Sequence, residues 1–258
     1  MRSTRIALAA AVVAPLALTL VACGPGDDPS PAASSPATGA ASKAPTGAAP
    51  TASGPGKAAA AKPLTQDQLV KALLTKKDLD ADENRSVVGP PQHEHKQTAD
   101  KPACQPVLDL DDPGNAAQAP AASATGAYYG GNGREYVEIH LTQYAPGQAE
   151  KAMAAAESAL ASCASFKDTM TNMPQPTTRA KFSKATYDTI GDATLALKAE
   201  YHEDGGQNAL VETKTYVFVR TGDVITMVAD SALHDTAMPD RAQVKQQLDK
   251  LNKAAQQG

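Results

Sequence analysis

The 258-residue chain contains no tryptophan, and only 3 phenylalanines and 7 tyrosines. So few aromatics argue against sugar-stacking platforms and against aromatic cages for quaternary ammonium groups. An excess of positive charge is missing as well: 24 Lys and Arg stand against 28 Asp and Glu, a net charge of −4. That balance provides no electrostatic footprint for nucleic acid or for an anionic bilayer surface. The motifs of hydrolytic catalysis are absent too. Gly-x-Ser-x-Gly, Ser-x-x-Lys and His-Glu-x-x-His do not occur, and the 5 histidines form no pattern. Catalytic groups need not be adjacent in sequence, so an uncharacterised hydrolase stays as an alternative reading.

No apolar run is long enough to span a bilayer. The longest, Ile6 to Leu20, covers 15 residues, against the ~20 that a membrane helix needs. What surrounds it is informative. Arg2 and Arg5 precede the run and Leu20-Val21-Ala22-Cys23-Gly24 follows it, the order of a secretory signal: basic, apolar, then small residues at the cleavage site. A cysteine directly after Leu-Val-Ala resembles a bacterial lipobox, in which the thiol is acylated, with palmitate for example, and becomes the mature N-terminus. We therefore expect residues 1–22 to be a lipoprotein signal peptide and Cys23 to be the lipid attachment site. Removing residues 1–22 takes away two arginines and no acid, which moves the net charge to −6.

Residues 23–62 use little but Ala, Pro, Ser, Thr and Gly. Without apolar periodicity such a stretch cannot offset its ordering entropy, so it is expected to be a disordered tether of roughly 35 Å. The globular part is then 63–258. With Cys23 lipidated, the remaining cysteines are Cys104 and Cys163. In an exported protein a disulfide is the simplest reading of such a pair. The alternatives are two unrelated buried thiols or a metal pair, and no Cys-x-x-Cys or His-rich segment adjoins either residue.

Thr65 and Gln68 form a capping box, and Leu64 and Leu69 the hydrophobic staple of a helix running through Leu73 and Leu74. Its C-terminal turn is expected to hold Lys76 and Lys77. Asp78, Asp80 and Asp82 alternate, but Glu83 and Gly89 stand where a calcium loop needs Gly and Glu. This reads as a solvated turn. His93-Glu94-His95 lacks a third metal ligand and reads as an exposed loop. No metal, cofactor or catalytic residue is expected anywhere in the chain.

Tyr136–Tyr144 alternates, with Val137, Ile139 and Leu141 on one face and Glu138, His140 and Thr142 on the other, a half-buried strand. After Pro146 the residues Ala149, Met153, Ala156, Leu160 and Cys163 make one apolar helical stripe, which points Cys163 into the core from the last turn. Four strand-like runs follow: Arg179–Tyr187, Thr194–His202, Leu210–Arg220 and Asp223–Ala229. The last two are apolar on both faces, hence central, and join at Thr221-Gly222. Pro239 opens a closing helix with Val244, Leu248 and Leu251 inward.

These pieces resemble a family of actinobacterial lipoproteins similar to the extracellular sensor domain of the mycobacterial Ser/Thr kinase PknH. The matching segments are Leu64-Thr65 through Leu74 to Asp78-Leu79, Lys101 to Pro106, and the helix ending Cys163…Phe166. Gly191-Asp192 and Val219 to Asp223 complete them. The resemblance spans roughly residues 64–255. It implies an α+β fold, a twisted antiparallel sheet flanked by helices, with a ligand cleft and no catalytic residues. The kinase sensor carries two disulfides where this chain can make one.

The expected function is a non-catalytic binding or sensing domain, held at the outer face of the cell membrane by acylated Cys23. It would meet an unidentified envelope ligand or protein; a scaffold lipoprotein is the alternative. If the strands at Tyr136–Tyr144 and Thr194–His202 lie near each other, their polar faces share one surface. Glu138, His140, Lys198, Glu200 and His202 would then floor one cleft, with Glu138, His140, Glu200 and His202 as ligand-binding residues.

Overall fold

The computed structural model describes residues 62–257, except 92–95, 117–118, 131–135, 172–176, 204–209 and 233–235. The leader, Cys23, residues 24–61 of the tether and His93-Glu94-His95 lie outside the described residues.

Thr65 caps the first helix, α1 (Gln66–Ala72). Its hydroxyl accepts from the Gln68 backbone N–H, and the Gln68 side chain accepts from the Thr65 N–H at 2.8 Å. Leu64 and Leu69 are both buried, as a staple requires. The helix is shorter than expected, because Leu73 is already extended and Lys76 and Lys77 fall outside it. A distant side chain stops it. Buried Gln247 accepts from the Leu74 N–H and donates to the Ala72 carbonyl, so the open helix end is satisfied without another turn. In the turn that follows, Asp78 accepts from the Thr75 N–H and Asp82 from those of Asn84 and Arg85.

The strands are β1 (Val87–Gly89), β2 (Gln97–Ala99), β3 (Ala122–Tyr129), β4 (Tyr136–Gln143) and β5 (Ser165–Met170), then β6 (Thr177–Lys184), β7 (Ala193–Glu203), β8 (Leu210–Thr221) and β9 (Val224–Ala232). They form one antiparallel sheet in the order β1-β3-β4-β9-β8-β7-β6-β5-β2. The expected α+β class therefore holds. β8 and β9 sit near the centre, and β9 is buried along eight of its nine positions. The tight loop between them is Gly222-Asp223, one residue later than expected, and Gly222 takes the positive φ of 59° that its first position demands. β3 was not anticipated. In it Gly126 leaves room for the ring of Tyr128, whose hydroxyl donates to the Leu74 carbonyl and ties the sheet to the end of α1.

Two helical layers cover opposite faces of the sheet. On one side α1 and α4 (Arg241–Gln256) pack on Val137, Ile139 and Leu141 of β4 and on Val217, Val219 and Val228 of β8 and β9. Val244, Leu248 and Leu251 are the buried stripe of α4, as expected. On the other side lie α2 (Gln105–Asp111) and α3 (Gln148–Leu160), over Phe166, Phe182, Tyr201, Tyr216, Phe218 and Met227.

Cys104 and Cys163 are bonded, with their Cα atoms 5.4 Å apart. The expected place of Cys163 needs correction: it lies three residues beyond α3, in the turn before β5, and Phe166 belongs to that strand. The helix also turns Ala159 inward, leaving Leu160 only partly buried.

Candidate functional site

The register decides where the polar faces point. Glu138 pairs across the ladder with Ala229, Ala229 with Tyr216, and Tyr216 with Leu197. Cross-strand partners share a face, so Glu138 and His140 belong to the α2/α3 side. Glu200 pairs with Thr213 and Lys181, one position out of phase, and so faces the opposite side together with His202. The single floor expected from Glu138, His140, Glu200 and His202 is thus corrected: the sheet divides it. Glu200 and His202 remain neighbours, with Oε2 and Nε2 3.5 Å apart, and Glu200 also meets Lys181 Nζ at 3.3 Å. They lie outside the cavity described next.

On the α2/α3 side the sheet and the end of α2 leave a cavity of about 570 Å³. Its floor is Ser123, Thr125 and Tyr129 of β3, Tyr136, Glu138, His140 and Thr142 of β4, and Lys214 of β8. One wall is the end of α2 and the turn after it, Asp111-Asp112-Pro113. Pro91, Gln97 and Met170 close another side. They follow β1, lie in β2 and end β5, so the two edges of the curled sheet converge on one cavity.

Glu138 is the electrostatic centre. Its Oε1 lies 2.8 Å from His140 Nε2 and its Oε2 3.7 Å from Lys214 Nζ, and all three side chains are less than one-fifth exposed. Burial favours the neutral acid, but the His140 and Lys214 charges outweigh it and hold Glu138 at about 2. Burial likewise pushes His140 down, and Glu138 more than reverses that, leaving the imidazole above its ordinary value. Lys214 is held well above the usual lysine range, because Glu138, Glu212 and Asp111 overcome its desolvation. His140 is thus a largely buried member of the cavity floor, with 14% of its side chain exposed.

Behind this trio lies a second acidic layer. Asp111 is pushed up to about 6, chiefly by burial. The Tyr216 hydroxyl donates to its Oδ2 at 3.4 Å, and Tyr201 and Tyr216 hydroxyls stand 3.1 Å apart. Asp168 of β5 is 1% exposed and is pushed up to about 7 by burial and then by Asp111. Among the described residues neither of its oxygens has a hydrogen-bond partner.

No protein-family model and no curated protein matches the chain. A solved structure does. The extracellular domain of PknH from Mycobacterium tuberculosis is similar at a TM-score of 0.49 and 16% identity, covering 76% of this chain and 99% of that one.

Chemically, the arrangement is a charged, half-enclosed receptacle. The hydrogen-bonded nitrogen of His140 is engaged by Glu138, and among the described residues no Ser or Thr hydroxyl hydrogen-bonds to the ring. No group of three or more His, Cys, Asp or Glu among the described residues is arranged to hold a metal. Alternation in β4 exposed Glu138 and His140 to a sequence reader. Asp111, Asp168 and Lys214 were missed, since the groups each of them meets lie far away in the chain.

Proposed function

We propose that this chain is an extracytoplasmic lipoprotein, anchored through Cys23, whose sheet domain binds a small ligand in the cavity over Glu138, His140 and Lys214 and does not transform it. The observation that carries the reading is the cavity itself. A mixed-charge floor, half-enclosed and fed from three strands and a helix end, is the form of a small-molecule site: concave, preformed and furnished with a few convergent polar groups. The lipobox and the tether support the address. Native mass spectrometry of the full chain, purified from its own host in mild detergent, tests the reading. A small molecule should accompany the protein, and Glu138→Gln should lose it while the fold persists. Identical spectra with and without the substitution, showing bare protein in both, would count against the cavity as a binding site.

A further inference from the structure

The charges of the cavity do not balance. Asp111, Asp112 and Glu138 line it, Asp168 lies behind, and His140 and Lys214 are the bases that answer them. Glu138 is shared by both bases, and Asp111 accepts from Tyr216. Asp168 is the remainder: 1% exposed, both oxygens without a partner among the described residues, and electrostatically coupled to Asp111 and Lys214. A buried carboxyl with neither oxygen satisfied is costly, and such a group in a native fold calls for an absent partner. Tyr129 and Tyr136 also line the cavity, with ring centroids 4.8 Å apart and planes tilted by 50°. Two tilted rings make a corner whose negative faces attract a cation. Arg85 already lies over the Tyr129 ring, 4.9 Å from its centre.

We infer that the ligand of this cavity carries a positively charged nitrogen, seated at the Tyr129–Tyr136 corner with Asp111 and Asp168 as its counter-charges. This rests on the reading of the cavity as a binding site and narrows it. A free anion would enter against four carboxyls. A neutral sugar would use the rings and hydroxyls but leave the acidic excess unanswered. The scarcity of tyrosine in the chain does not oppose the inference, because the fold gathers two of the seven at one place.

Binding of a cation is then linked to protons. Asp111 faces Glu138, Asp112, His140 and Lys214, with Tyr216 bonded to it, and Asp168 faces Asp111, Lys214 and Tyr201. Between pH 5.5 and 8 both acids give up their protons, which makes the cavity more negative.

The test titrates the full chain in detergent with choline, ethylammonium, acetate and glucose at fixed ionic strength. Calorimetry and the His140 and Tyr136 resonances are followed together. A cation should bind at least tenfold more tightly at pH 8 than at pH 5.5 and release protons, seen as a heat that depends on the buffer. Asp168→Asn should weaken it at least tenfold, and Asp111→Asn is the second variant should the first fail to fold. Binding of acetate or glucose in preference to both cations would overturn the inference while leaving the cavity a ligand site. If none of the four moves those resonances the inference is also overturned, and the cavity reading then rests on the co-purified molecule.

Discussion

Glu138 neutralises two cations from one position, and that makes it the most consequential side chain of the site. Glu138→Gln keeps the shape and removes the charge, leaving His140 and Lys214 facing each other. Breaking a buried pair costs about 3–5 kcal/mol; because Glu138 keeps 18% of its side chain exposed, about 2–3 kcal/mol is expected here. Denaturant unfolding measures it. An NMR titration of His140 in the same variant should show its pKa lower than in the parent protein, since the Glu138 charge and hydrogen bond no longer oppose burial.

The pH dependence of stability follows from the same residues, with signs that differ. Glu138 is depressed in the fold, so its contribution is present above about 4.5 and is lost as pH falls towards about 2. Asp111 and Asp168 are raised, to about 6 and about 7. Their contribution is whole below 3.8, the value of the unfolded chain, and is lost as pH rises through those values. His140 is also raised, and its share is lost above about 6.5. Across pH 5.5 to 8 only the raised groups change, so the melting temperature should fall over that interval. Asp168→Asn should flatten the slope. A melting temperature that climbs with pH across the same interval would contradict this assignment.

At the scale of elements, α2 owes its seat to a covalent bond. It begins directly after Cys104, and it ends on Asp111 at the cavity wall, so the disulfide positions the acid. Closing a loop with 59 residues of separation stabilises by about 4 kcal/mol in the chain-entropy account. Cys163→Ala should therefore lower the melting temperature by more than 10 °C and should also shift the resonances of the cavity floor, while those of α4 move little. Heteronuclear spectra of the two proteins compare them directly.

The elements also show what a sequence reveals. β4, β7, β8 and β9 were legible because alternation or dense apolar content marks a strand wherever it sits. β3 was not: Ala122 to Tyr129 is built mostly from small residues, whose burial comes from Tyr128 and from the neighbouring strand. The 3-residue strands β1 and β2 are too short to show a period. Alternation also says which residues share a side of one strand, and nothing about which side of the sheet that is. In β4 the apolar side meets α1 and α4, whereas in β7 it meets α2 and α3. The polar sides consequently point apart, and the joint floor dissolved for that reason. The cavity needed β3, the end of α2 and Lys214, brought together only by long-range pairing.

For the whole molecule, the sequence supports an anchored protein. Cys23→Ser should leave precursor uncleaved or release the domain into the medium, as fractionation and N-terminal sequencing would show. Wild-type amounts of a trimmed variant in the membrane fraction would argue against Cys23 as the attachment point. Two acyl chains hold a protein stably where one is marginal, so an acylated Cys23 would place copies of the chain in one crowded plane. There the ends of the sheet acquire a meaning of their own. An open sheet invites a second copy to add its strands, and long flat edges do so most readily. Here each terminal strand is 3 residues long, and Lys96 and Lys101 lie just outside β2. Copies brought together on a shared surface would find little backbone to copy at either end of the sheet, and could stand densely there without polymerising along it.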